Sequence, residues 1–250
     1  MKRVACLFVL LLILAVVVIG SFYGYVRTQR DNGAVSSALL AGFTSLSPHP
    51  ITYGEETSEP SCRQAYHYLK GHTGVCLIED SGSSRFSPKE NTVYLPHADF
   101  SADTAASAHE FGHALDWFLR GESPQYYSRQ ETFSHAYAAD CSRMQETFLV
   151  QRLFETEAYR NPAVSDILFA VFYGNEEMTR VLTASYNTAG VSYWQHEESY
   201  MRELHNRQTE VFADIFTIWL SDDAEAKAFL QTFLPQSSRT LLEQVQTQRW

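Results

Sequence analysis

The chain has 250 residues, 45% apolar and 14% aromatic, enough for one sizeable core and little for a second. Charged residues make up 19%, which excludes a disordered body, and the formal net charge is −10. Lys2, Arg3, Arg27 and Arg30 face no acid in the first 30 residues, leaving 15 of the 19 bases against all 29 acids in the remainder. A body so acidic excludes a nucleic-acid partner, since phosphate contacts need clustered Lys and Arg.

Val4 to Val26 is uncharged, and a helix of that length reaches ~34 Å, enough to cross a hydrocarbon core of ~30 Å. Basic residues precede it, and Phe22, Tyr23 and Tyr25 near its far end suit an interface. Residues 1–30 therefore read as an uncleaved membrane anchor; the alternative is a cleaved signal peptide with secretion, although no A-x-A-like site follows. Either reading places the body outside the cytosol. Residues 31–60 are polar, carry Pro48, Pro50 and Pro60, and read as a stalk with a short helix at Val35–Phe43. The body is then 61–250.

Ser61 to Lys70 is expected to be helical, ending at Gly71. Val75–Glu79 and Thr92–Leu95 read as short strands, the second stopped by Pro96, with a loop at Ser81–Pro88. Cys62 and Cys76 admit two readings in an exported domain: a disulfide closing a loop of about 15 residues, worth ~3 kcal/mol, or two buried thiols. No C-x-x-C pair supports a cysteine metal site.

Ser101 and Asp103 offer N-caps for a helix running to Arg120 and ending at Gly121, with Phe111, Leu115 and Phe118 on its core side. Glu122–Arg129 reads as a turn-rich loop. Helices follow over Glu131–Glu157, Val164–Tyr186 and Glu197–Leu220, then Asp223–Gln248 with a break near Pro235. Strand signals stop after residue 95, so the fold class is α+β, mostly helical, with a small sheet ahead of the key helix.

That key helix carries His109-Glu110-Phe111-Gly112-His113. Residues four apart share a helical face, so His109 and His113 can point two imidazoles at one ion ~2.0–2.1 Å from each. Glu110 is rotated off that line. It can reach a water at the ion without having to ligate it, which is why H-E-x-x-H suits zinc-assisted hydrolysis. Gly112 leaves room for another backbone to approach. The bland alternative is a partly exposed polar stripe.

A catalytic zinc needs a third protein ligand. Glu210, in QTEVFADIFTIW, lies on a helix whose core face is Val211, Phe212, Ile215, Phe216 and Trp219, where an unpaired carboxylate is costly. Asp214, one turn on, could hold the outer N–H of a metal-bound histidine. His196, Glu197, Glu198 and His205 are the alternatives to Glu210.

HEFGHALD together with E-x-F-A-D-I-F resembles the zinc peptidase domain of anthrax lethal factor and its relatives, which include the Pro-Pro endopeptidases; NTVYLP resembles the strand ahead of their zinc helix. The resemblance covers about residues 75–121 and 196–245. It implies a zincin-like (gluzincin) fold and a zinc endopeptidase with a protein or peptide substrate. Its ligands would be His109, His113 and Glu210, its base Glu110, and Asp214 the acid behind a ligand. The family places an oxyanion-steadying tyrosine a few residues before the glutamate ligand. Tyr200 is the candidate here at a longer gap, with Tyr193 in reserve. The spacing from His113 to Glu210 is also long, so 122–195 is expected to be a helical insertion, forming a cap or a partner surface. An extended substrate would pair with the edge of the strand Thr92, Val93, Tyr94, Leu95. The rival classes are a membrane-tethered, non-catalytic binding protein with a structural or vestigial zinc site, and a toxin- or immunity-type interaction module built on the acidic helices of 122–195.

Overall fold

The computed structural model describes residues 51–54, 56–79, 83–100, 104–191 and 196–250. The anchor at 4–26, the helix at Val35–Phe43, the caps Ser101 and Asp103, and Tyr193 lie outside them. Among the described residues no helix is long and apolar enough to cross a membrane.

The chain enters the body earlier than its composition suggests. Tyr53 is buried and bridges to Ser221, and the amides of Gly54 and Glu59 donate to the carbonyls of Leu220 and Trp219. Thr52 hydrogen-bonds to the Asp222 carboxylate through both its amide and its hydroxyl. The end of the expected stalk is thus docked rather than free.

Pro60 opens helix α1 (Pro60–His72), where its missing N–H is harmless, and Cys62, Ala65, Tyr66 and Leu69 bury one face. Strands β1 (Gly74–Ile78), β2 (Arg85–Ser87) and β3 (Thr92–Pro96) form a sheet in the order β1-β3-β2. β1 runs parallel to β3, from Gly74 opposite Thr92 to Ile78 opposite Pro96. β2 runs antiparallel, with Phe86 opposite Val93. Two expectations are corrected here. Ser81–Pro88 contains a strand, and Thr92–Leu95 offers no edge, because both of its sides are already paired. Cys62 and Cys76 are free thiols, the first buried in α1 and the second exposed on β1, so no disulfide joins them.

A short helix α2 (His97–Phe100) leads to the key helix α3 (Ala105–Leu119). Its N-cap is Thr104, whose Oγ1 accepts from the Ser107 amide at 3.2 Å. Phe111 and Leu115 are buried, but Phe118 is exposed and stacks at the surface with Tyr68 and Trp250. A 3-10 turn at Tyr127–Arg129 precedes α4 (Glu131–Thr147) and the one-turn α5 (Val150–Leu153). After a 3-10 turn at Ala158–Arg160 come α6 (Pro162–Val171) and α7 (Glu176–Ala189). The chain ends with α8 (Glu198–Met201), α9 (Leu204–Leu220), α10 (Ala224–Phe233) and α11 (Pro235–Gln246).

α9 is the axis of the body. Every residue from Gln208 to Leu220 is buried, and α3 and α6 pack along it. The α3 contact is backbone-close at Gly112, where a Cβ would lie 2.8 Å from Ala213 Cα and 2.9 Å from its carbonyl oxygen. Within the segment expected to be a helical insertion, Ala163 to Val171 of α6 are all buried. At the far end, buried Asp140 of α4 accepts from the Ser237 amide at 2.7 Å and so caps α11.

Candidate metal centre

The close approach of α3 to α9 brings their polar residues face to face inside an apolar wall. His109, Glu110, Glu210 and Asp214 are all buried. His109 Nε2 lies 3.0 Å from Glu210 Oε2, and His113 Nε2 lies 3.3 Å from the same oxygen. A third imidazole joins them from outside both helices: His196 Nε2 is also 3.3 Å from Glu210 Oε2. One carboxylate oxygen lacks the lone pairs to accept well from three imidazoles. The separations also suit donors around a shared cation, since ligands ~2.0–2.1 Å from a tetrahedral ion lie about 3.3 Å apart. His109, His196 and Glu210 offer ligand atoms all within 4.8 Å of one another and could hold a metal ion.

Two of the imidazoles are held from behind by carboxylates. His109 Nδ1 lies 2.9 Å from Asp214 Oδ1, and His196 Nδ1 lies 3.1 Å from Asp166 Oδ1. Both aspartates are fully buried. A carboxylate on Nδ1 fixes the tautomer that leaves Nε2 bare for an ion. His113 Nδ1 is buried with no hydrogen-bond partner among the described residues.

The charges are balanced on a small scale. Burial pushes the His109 imidazole down, but Asp214 and Glu210 outweigh it and carry it well above its ordinary range. Burial pushes Glu210 up, while His113 and His109 outweigh that and hold it well below the carboxylate range. Burial, with Asp166 beside it, lifts Asp214 strongly. His196 is pushed down by burial and up by Asp166 and Glu210, reaching about 9. Without an ion the cluster thus stores protons where a cation would sit.

Glu110 is placed differently. Burial raises its pKa against the pull of His113 and His109, and its Oε2 has no hydrogen-bond partner among the described residues. A buried, unsatisfied carboxylate oxygen calls for a donor that the protein does not supply, such as water. Tyr200, on α8, donates its hydroxyl to Glu210 Oε1 at 2.6 Å and stacks on His196 with centroids 5.4 Å apart. The cluster opens into a cavity of about 210 Å³ lined also by Ser84, Arg85 and Phe86 of the β2 region and by Tyr126, Arg129 and Thr209.

The cavity therefore holds the predicted His109, Glu110, His113, Tyr200 and Glu210, and Asp214 lies behind His109. Glu197, Glu198 and His205 do not join the metal-capable group of His109, His196 and Glu210, and neither does the predicted ligand His113, although its Nε2 lies 3.3 Å from Glu210 Oε2. The β-edge beside it belongs to β2, not to Thr92–Leu95. Asp166 was missed altogether, and His196 stood only as a substitute for Glu210 rather than its companion. The signal for Asp166 was a lone acid in the apolar run PAVSDILFAV, where burial demands a partner.

No family model, no curated protein and no solved structure matches this chain.

Proposed function

We propose that this protein is a zinc-dependent endopeptidase of the lethal-factor-like kind, with a zincin-like body tethered to the outer face of a membrane by residues 4–26 or secreted after their removal. The observation that carries the reading is the pairing of two buried elements: three imidazoles and a carboxylate converging at one point, and Glu110 beside them with an unsatisfied oxygen. A metal site that only braces the fold has no use for that second element.

His109, His113 and Glu210 would hold the ion, which fits the donor set: nitrogen and oxygen ligands with outer carboxylates are zinc chemistry. Zinc supplies Lewis acidity toward a peptide carbonyl and acidifies water at neutral pH. Glu110 takes the proton of the attacking water and passes it to the leaving amine; its raised pKa brings it nearer the operating pH. The Tyr200 hydroxyl, and His196 held by Asp166, line the same cavity and would donate to the negative charge that grows on the carbonyl oxygen. The exposed edge of β2 would align an extended peptide by backbone pairing.

One observation favours the second reading, a non-catalytic tethered protein with a structural zinc site. His196 Nε2 is as near Glu210 Oε2 as His113 Nε2 is, and a fourth protein ligand would close the sphere.

A peptide library incubated with the full chain, with and without a chelator, tests the function. Cleavage that the chelator abolishes and zinc restores is expected. Glu110→Gln should keep one bound zinc and lose at least ~10²-fold in rate. A zinc-loaded wild type that cuts nothing, or a Glu110→Gln variant that cuts normally, sinks the peptidase. His109→Ala should abolish stoichiometric zinc.

A further inference from the structure

The metal cavity contains a cation that the fold does not neutralise. Arg129 closes the 3-10 turn at Tyr127–Arg129 and lines the cavity beside Tyr200 and Glu210. Its placement is set from two sides. Nε donates to Thr209 Oγ1 at 3.1 Å, and the guanidinium lies 4.9 Å from the centroid of the Tyr126 ring. Thr209 donates in turn to the His205 carbonyl at 2.8 Å and immediately precedes Glu210, so the guanidinium is tied to the turn of α9 that supplies the carboxylate ligand.

Among the described residues Arg129 has no ion pair. Asp116 is close enough to feel its charge, but its Oδ1 accepts from the Ser128 amide at 2.7 Å and the carboxylate lies fully buried. Arg129 is half-buried in the wall of the cavity, close enough for its charge to act on the Tyr200 hydroxyl. The Nη donors have no hydrogen-bond partner among the described residues. They form a planar fork that matches a carboxylate with two parallel bonds, and Thr209 and Tyr126 have already restricted its orientation.

We infer that Arg129 receives a carboxylate of the substrate, within about one residue of the bond to be cut. The inference rests on the peptidase reading and names its substrate class. The cavity of about 210 Å³ is smaller than the ~300–1,000 Å³ of ordinary ligand pockets, so it takes little beyond the reacting centre and one neighbouring group. His196 also lines a second cavity of about 470 Å³, together with Phe169, Tyr173 and Met201. The body of the peptide extends there, and its acidic group lies toward Arg129. That group is the side chain of Asp or Glu, as the endopeptidase reading requires; a C-terminal carboxylate there would make the enzyme a carboxypeptidase instead.

The competing account makes Arg129 a brace between Tyr126 and Thr209, and two probes tell them apart. One is a short dicarboxylic acid monohydroxamate, which offers a metal-binding head and a carboxylate; the other is its primary amide, which has the same shape without the charge. Both are titrated calorimetrically into the zinc-loaded full chain, with zinc content measured on each variant. The acid is expected to bind about tenfold or more tighter than the amide, the scale of a charged hydrogen-bonded pair. Arg129→Gln should remove that preference and leave the amide unchanged, while Arg129→Lys restores part of it as a point charge. Equal binding of acid and amide to the wild type overturns the inference and leaves the peptidase standing. So does a variant that weakens both probes alike, the signature of a brace. A chain that takes up no zinc and binds neither probe sinks both. Peptides of one sequence, ending in a free carboxylate or an amide and carrying Glu or Gln near the cut, then separate that side chain from a C-terminal carboxylate by competition.

Discussion

His109 Nδ1 and Asp214 Oδ1 lie 2.9 Å apart in the contact between α3 and α9, fully inside the protein, and that contact orients His109 in the candidate metal site. An imidazole alone can rotate and can carry its proton on either nitrogen. Asp214 removes both freedoms, leaving Nε2 to face His196 and Glu210. Asp214→Asn keeps the size and one acceptor but loses the charge that fixes the tautomer. Zinc affinity is expected to fall ~10–100-fold, read by competition with a chromophoric chelator. Circular dichroism of the chelated variant should match wild type. Unchanged affinity would make Asp214 a packing residue only.

His196 and Asp166 decide between the two readings of the centre. Cobalt is the probe, because its visible spectrum reports coordination. If His196 is a fourth ligand, His196→Ala shifts the cobalt spectrum and weakens zinc binding at least as much as Asp166→Asn does. If His196 instead donates to the reacting oxygen, both variants keep the spectrum and lose ~10²–10³-fold in turnover, the scale of one oxyanion donor. The peptidase reading expects the second outcome.

What the amino-acid order disclosed follows from how local each feature is. His109, Glu110 and His113 share one helical face and need no tertiary information. Glu210 and Asp214 were legible because acids at that spacing on so apolar a helix must be partnered. Gly112 announced a close approach, and Ala213 is what approaches. Asp166 on α6 meets His196, in the segment ahead of α8, only through tertiary packing, which periodicity cannot report. β2 is three residues long and carries Arg85 and Ser87, too short and too polar for a strand pattern, so the true edge of the sheet stayed hidden. The docking of Tyr53 on Ser221 was masked by a polar, proline-bearing context. Residues 122–195 read as an addition because the lethal-factor spacing is shorter; within them Ala163–Val171 are buried.

Gly112 gives the fold its most direct test. A methyl group there would sit 2.8 Å from Ala213 Cα, against backbone that cannot rotate away. Gly112→Ala should therefore push α3 from α9 despite its better helix propensity, with a net loss of about 1–3 kcal/mol in denaturant unfolding. The same displacement carries His113 away from Glu210, so zinc affinity should fall in parallel. A variant as stable as wild type, with normal zinc binding, would mean that the two helices are not in backbone contact at this point.

The metal centre should also set the pH dependence of stability. His196 is pushed down by burial but carried up to about 9 by Asp166 and Glu210, against an ordinary value of 6.5. Its folded pKa is raised, so in metal-free protein its ion-pair stabilisation is fully present below about 6.5 and is lost as pH rises through about 9. His109, lifted by Asp214 and Glu210 over the opposing effect of burial, acts in the same direction. An ion at His109 Nε2 needs that proton gone, and its charge also disfavours a charged His196 beside it, so its apparent affinity rises over the window in which the metal-free protein weakens. Asp116, raised to about 7 by burial, contributes a further decline as pH rises from about 4 to 7. The stabilisation conferred by a ligand grows as RT ln(1 + [L]/Kd). The gap in Tm between zinc-loaded and chelated protein should therefore widen steadily from pH 6.5 to about 9. Paired thermal scans across that range measure it, and a gap that stays flat or narrows would mean that the metal does not compete with these protons.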